Sequence, residues 1–87
     1  MENQLDGNAA AGTLQTIFPF EMTEVTVTCA GCGESNRIGE TVVWMSAMGT
    51  IVRCPGCDHA LIRLAQVRGR SFLDLQGSRV LQIRAQG

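Results

Sequence analysis

The sequence predicts a small β-rich domain of antiparallel hairpins and a meander, preceded by a short N-terminal helix and stapled by a metal ion. Three observations carry this prediction. The chain has 87 residues, room for one small domain whose apolar core alone supplies only a few kcal/mol of net stability. Its stretches of period-2 alternation are short and are punctuated by glycine-containing turns. Its only four cysteines fall as two pairs of one spacing, Cys29-Ala30-Gly31-Cys32 and Cys54-Pro55-Gly56-Cys57, with 21 residues between them.

In chain order, residues 1–20 read as an N-terminal segment carrying the helix and 21–87 as the β domain. Residues 1–7 look like a loose start. From Asp6 or Asn8 as cap, Ala9, Ala10 and Ala11 favour a helix, and Leu14, Ile17 and Phe18 share one face of it. Gly12 weakens it and Pro19 ends it. Its apolar face is expected to pack on the sheet. Glu21 to Thr28 reads as a half-buried strand, because Val25 and Val27 alternate with Glu24, Thr26 and Thr28. That strand runs into Cys29. Gly33 follows Cys32 where positive φ turns N–H groups toward sulfur, and Glu34 to Asn36 reads as loop.

Thr41 to Ala47 is the next strand. Met48-Gly49-Thr50 reads as a type II′ reversal, and Ile51-Val52-Arg53 leads back into Cys54. Ala60 to Val67 leaves the second pair as a strand, Arg68-Gly69 turns it, and Arg70 to Gln76 returns. Gly77-Ser78 turns again, and Arg79 to Arg84 closes the meander. The last three residues are expected to fray. Trp44, beside Val42 and Val43, reads as a core residue.

Two residues between cysteines let a tight turn aim both sulfurs at one centre, and a second such turn completes a tetrahedron. Cys29, Cys32, Cys54 and Cys57 are therefore the expected ligands of one structural Zn²⁺. Such a site contributes about 10–16 kcal/mol at neutral pH, comparable with the entire net stability of an ordinary domain, about 5–15 kcal/mol. With four protein ligands no coordination position stays open, which argues against zinc hydrolysis. His59, two residues past Cys57, reads as exposed or beside the ligands. Cys54-Pro55-Gly56-Cys57 also fits a thiol-redox form, but such catalysis needs an acidified cysteine at a helix start, and the residues after Cys57 are strand-like.

The formal net charge is −1 and the sequence pI about 5.7, far from the basic balance of a dedicated nucleic-acid binder. The charge is uneven. Glu2, Asp6, Glu21, Glu24, Glu34 and Glu40 face only Arg37 in the first half, whereas Arg63, Arg68, Arg70, Arg79 and Arg84 face Asp74 near the end. No signal peptide or membrane span is visible, and reduced thiols in C-x-x-C pairs fit a cytoplasmic protein.

The two knuckles, the hairpin between them and the strands after them resemble the zinc-ribbon fold group over residues 24–66. Asp58 stands where many such knuckles carry glycine. The loops Cys29-Ala30-Gly31-Cys32-Gly33 and Cys54-Pro55-Gly56-Cys57 also resemble those of rubredoxin, whose iron is shielded by an aromatic core. This chain has only Phe18, Phe20, Phe72 and Trp44. More closely, Leu5-Asp6-Gly7-Asn8-Ala9, the two cysteine pairs with Gly33 and Val52-Arg53, and Leu73-Asp74-Leu75-Gln76-Gly77 resemble a family of small uncharacterised bacterial zinc-ribbon proteins. That likeness implies metal binding through the four cysteines and no known activity. The expected role is a non-catalytic protein-binding or adaptor module. The alternatives are a nucleic-acid-associated zinc ribbon of the transcription or translation machinery and, more remotely, a rubredoxin-like iron or thiol redox protein.

Overall fold

The structure is a computed structural model and describes residues 3–83. Along the chain run β1 (Asn3–Asp6), α1 (Gly7–Leu14), a 3₁₀ turn (Met22–Glu24), β2 (Thr26–Cys29), β3 (Ser35–Arg37) and a second 3₁₀ turn (Ile38–Glu40). Then follow β4 (Val42–Ser46), β5 (Gly49–Arg53), β6 (Ala60–Val67), β7 (Arg70–Asp74) and β8 (Ser78–Gln82). They form two antiparallel sheets, one of five strands in the order β1-β4-β5-β6-β7 and one of three in the order β3-β2-β8. The fold is thus the β-rich one expected, with one short N-terminal helix. Among the described residues no helix is long and apolar enough to cross a membrane.

Several elements depart from expectation, each for a physical reason. Asn3–Asp6 is no loose start, because its backbone pairs with β4 from Asn3 opposite Met45 to Asp6 opposite Val42. The helix stops at Leu14, and the Ile17 and Phe18 N–H groups fold back onto the Leu14 carbonyl as the chain turns before Pro19. The strand expected from Glu21 begins only at Thr26, because Met22–Glu24 coils into a 3₁₀ turn that buries Met22 completely. Residues 35–37 are a strand instead of a loop, paired with β2 through Thr28 opposite Ser35 and Thr26 opposite Arg37. Arg84, the final residues expected to fray, and the side chains of Asp6 and Ala11 lie outside the described part.

Two turns sit differently as well. The β4–β5 reversal is made by Ala47 and Met48, since Ser46 pairs with Gly49. Gly49 belongs to the strand, where a Cβ would overlap the Leu64 carbonyl oxygen of β6. It is a close-approach glycine and not a turn glycine. The second turn, at Gln76-Gly77, is closed by the Ser78 N–H donating to the Leu75 carbonyl, 3.0 Å. It does not continue the meander: β8 leaves β7 and pairs with β2, Val80 opposite Thr28 and Leu81 opposite Val27.

One buried cluster unites the elements. The five-stranded sheet contributes Val43, Val52, Ile62 and Leu64, the helix Ala10 and Leu14, the 3₁₀ turns Met22 and Ile38, and β2 Val27 and Cys29. Cross-strand register sets Val43, Val52 and Ile62 side by side on the inner face. Strand alternation then puts Val42, Trp44, Ile51 and Arg63 on the outer face. Trp44 is therefore half-buried outside the core, contrary to the expectation for so large an apolar residue. A register shift between Val52 and Arg53 leaves Leu61 as an extra residue, so both Leu61 and Ile62 are buried. A like shift occurs between Thr28 and Cys29. The extra residue lies on the neighbouring strand in each case, Leu61 on β6 and Arg79 on β8, so each irregularity sits beside a strand that delivers a cysteine.

Candidate metal centre

Each cysteine pair closes a six-residue turn, and the two turns are built alike. In the first, the Cys29 N–H donates to the Glu34 carbonyl at 2.9 Å and the Gly33 N–H to the Cys29 carbonyl at 2.9 Å. In the second, the Cys54 N–H donates to the His59 carbonyl at 2.8 Å and the Asp58 N–H to the Cys54 carbonyl at 2.9 Å. The fifth residue of each turn is left-handed, Gly33 at φ 80° and Asp58 at φ 65°. Glycine takes that conformation freely, and aspartate tolerates it better than most residues.

This backbone path aims N–H groups at the sulfurs. Cys29 Sγ lies 3.3 Å from the Gly31 nitrogen and 3.5 Å from that of Cys32, and Cys54 Sγ lies 3.4 Å from the Gly56 nitrogen. The backbone N–H of Glu34 bonds to the Cys32 sulfur and that of His59 to the Cys57 sulfur. Every ligand sulfur thus meets the N–H two residues ahead of it, the arrangement that stabilises a thiolate.

The four Sγ atoms lie within 4.8 Å of one another. Across the two turns, Cys29 and Cys57 are 3.6 Å apart and Cys32 and Cys54 3.7 Å apart, and none is in a disulfide. A regular tetrahedron with metal–sulfur distances of about 2.3 Å has sulfurs about 3.8 Å apart. The donor set therefore fits one tetrahedral ion, and it is the group the sequence predicted. Cys29 and Cys54 are buried on the core side, while Cys32 and Cys57 are exposed.

Electrostatics divide the set. Burial raises the Cys29 pKa, but the N–H groups of Cys32 and Gly31, with the Cys57 thiol, outweigh it and bring the value down to about 7. At Cys57 the His59 N–H favours the thiolate, yet burial and the three neighbouring sulfurs together push the value up to about 12. Cys32 is also raised, with burial and the Cys54 and Cys29 sulfurs overcoming the Glu34 N–H. Four negative sulfurs this close need a cation between them, so metal binding must expel protons.

His59 contributes its backbone instead of its ring. Its carbonyl closes the second turn, and its ring stands against Gly31, where a Cβ would lie 3.3 Å from Cγ. A contact that sequence reading missed lies beside the site. The Ala30 N–H donates to the Gly77 carbonyl at 2.9 Å, and the Ser78 hydroxyl to the Leu61 carbonyl at 2.8 Å. A Cβ on Gly77 would overlap the Ala60 carbonyl oxygen. Gly77 and Ser78, at the end of the turn and the start of β8, therefore touch the first knuckle and the exit of the second. Their sequence signal is a Gly-Ser pair, which reads as an ordinary turn.

A second feature lies on the outer face of the five-stranded sheet. There Trp44, Ile51, Arg63, Ala65, Phe72 and Asp74 line an open groove of about 590 Å³. Phe72 is 55% exposed. The arginines do not gather into one stripe. Arg63 and Arg70 are on strands of this sheet, Arg68 is in the β6–β7 turn, and Arg79 is on β8 of the other sheet.

Among known proteins, a family model described as a family of unknown function (DUF6510) matches residues 1–86. Searches of the curated proteins and of the solved structures each found no match.

Proposed function

Because the chain belongs to this family of unknown function (DUF6510), its role has to be read from its own residues, and we propose a non-catalytic protein-binding module folded around one structural Zn²⁺. The observation that carries the metal half is the closed set of four sulfurs within 4.8 Å, each met by a backbone N–H. Soft thiolates in a tetrahedron select zinc or iron, and zinc needs no shielding from redox chemistry. With all four positions filled by protein, the ion has no site for substrate, and neither knuckle leads into an activating helix. The metal then acts as a clasp between β2 and β3 on one side and β5 and β6 on the other.

The groove around Trp44, Ile51 and Phe72 supports the binding half, since half-buried Trp44 and Ile51 beside exposed Phe72 on one sheet face suit an apolar anchor from a protein partner. Dispersed arginines and a pI of about 5.7 make nucleic acid the poorer fit. The test has two arms. Elemental analysis of protein from a zinc- and iron-containing medium is expected to return one zinc per chain; iron in stoichiometric amount would replace the zinc reading. Proteins retained by the wild type but lost by Trp44→Ser and Ile51→Ser are then purified and titrated at low and high salt. Affinity that barely changes supports an apolar protein interface, whereas a steep fall with salt on an RNA or DNA probe would overturn it.

A further inference from the structure

We infer that β7 is a self-complementary edge through which two copies of this chain join their five-stranded sheets about a two-fold axis at Phe72. Strand β7 has one sheet neighbour, β6, and its other side ends the sheet. Its residues Arg70, Ser71 and Phe72 are exposed. Sheet edges of this kind are normally guarded by charge, which repels a second strand. The guards here are Arg70 and Asp74, opposite in sign and placed symmetrically about Phe72. In an antiparallel pair centred on Phe72, Arg70 of each copy stands opposite Asp74 of the other, Ser71 opposite Leu73, and Phe72 opposite its own equivalent. The same charges that would block a parallel neighbour match an inverted copy.

The backbone agrees with that register. Arg68 and Gly69, both left-handed at φ 51° and 78°, form a type I′ turn closed by Val67 and Arg70. The closing pair of such a two-residue hairpin exchanges hydrogen bonds, so Arg70, Phe72 and Asp74 direct their peptide groups toward β6. Ser71 and Leu73 then direct theirs to the open edge. Centring on Phe72 is the register that sets Ser71 against Leu73 of the other copy, and four N–H···O=C bonds follow. Phe72 meets its equivalent as a non-hydrogen-bonded pair, the kind whose side chains approach most closely.

Side-chain charge points the same way. Arg70, Phe72 and Asp74 alternate onto the outer face, and Asp74 lies across from Arg63 of β6. In the joined sheet Asp74 would stand between Arg63 of its own copy and Arg70 of the other. Among the described residues neither Arg70 nor Asp74 takes part in an ion pair within one copy. Asp74 accepts the Gln76 N–H, at 2.9 Å. Joining also brings the two outer-face grooves together across the Phe72 pair. A five-residue strand buries little surface, so the contact belongs with the small, weak interfaces.

Sedimentation velocity of the metal-loaded full chain, run up to millimolar concentration, tests this. A concentration-dependent shift from monomer to dimer mass is expected. Arg70→Asp and Asp74→Arg, each alone, place like charges opposite one another twice and should raise the dissociation constant by about tenfold or more. An equimolar mixture of the two variants restores both opposite-charge pairs and should form a heterodimer about as readily as the wild type. Circular dichroism of each variant checks that the fold is kept, and if Asp74→Arg disturbs the Gln76 turn, Arg70→Glu and, separately, Asp74→Asn, which keeps an oxygen for the Gln76 N–H, should each still weaken the dimer. A chain that stays monomeric at millimolar concentration overturns the inference and leaves the edge to a foreign strand. So does a dimer indifferent to the single charge reversals, or a mixture of folded variants that does not pair.

Discussion

Stripping the metal is expected to unfold this chain, and the geometry gives the scale. Four sulfurs within 4.8 Å of one another cannot all be negative without a cation, so the metal-free site at neutral pH must hold protons on Cys57 and Cys32, whose pKa values are raised. A structural four-thiolate site is worth about 10–16 kcal/mol, against about 5–15 kcal/mol for the net stability of an ordinary domain. Removing the ion therefore takes away as much free energy as the folded state holds in total. The assay is chelator titration followed by circular dichroism and amide NMR dispersion, with released metal measured in parallel. Fold and metal should be lost together. The sign of the pH effect follows from the same thiols: protons compete with the ion, so stability is present at high pH and disappears on acidification. Unfolded cysteines near pKa 8.5 are protonated at pH 7, so the apparent metal affinity should fall by about four decades per pH unit below neutrality, one for each ligand. A metal-free protein that keeps its dispersed spectrum and a cooperative melt within a few degrees of the loaded form would refute the reasoning.

Other outcomes follow from single positions. Gly77→Ala drives a methyl into the Ala60 carbonyl and should cost about 2–4 kcal/mol in a denaturant melt; Gly12→Ala, which meets nothing within 4 Å in the helix, should gain about 0.5–1 kcal/mol. At Asp58, left-handed at φ 65°, Asp58→Gly should leave stability within about 0.5 kcal/mol, while Asp58→Val should cost about 1–2 kcal/mol and loosen the metal, read by competition with a chromophoric chelator. Ile62→Ala, at 1% exposure, should cost about 2–5 kcal/mol. Half-buried Trp44→Ser should cost less than half as much, and equal losses would return Trp44 to the core.

The parts legible in the sequence are those whose cause is local. Ligand spacing, the glycine after Cys32 and the tolerant aspartate after Cys57 act within six residues, and the structure builds both knuckles from them. The strand leading into Cys29 announces itself by alternation around Val27, although it starts later than the alternation suggests. What stayed hidden is pairing. Asn3–Asp6 and Ser35–Arg37 carry no apolar alternation, and they become strands because β4 and β2 offer them unpaired backbone groups. Partner choice is equally invisible at β8, whose residues mark a strand without saying that β2, not β7, receives it. Trp44 misled through size: alternation with Val43 does give its face, but which face the helix covers is a tertiary matter.

The contacts of Gly77 and Ser78 have a consequence for the order of assembly. Strand β2 lies early in the chain and β8 near its end, so their pairing closes the longest loop in the smaller sheet, the kind of contact that forms late and slowly. The knuckles are nearer in sequence, and once a metal holds them, Ala30 and Leu61 stand ready as the two points to which Gly77 and Ser78 bind. An ion held there would shorten the search that β8 must make, so refolding is expected to be faster with zinc present than with a chelator, as well as yielding the more stable protein.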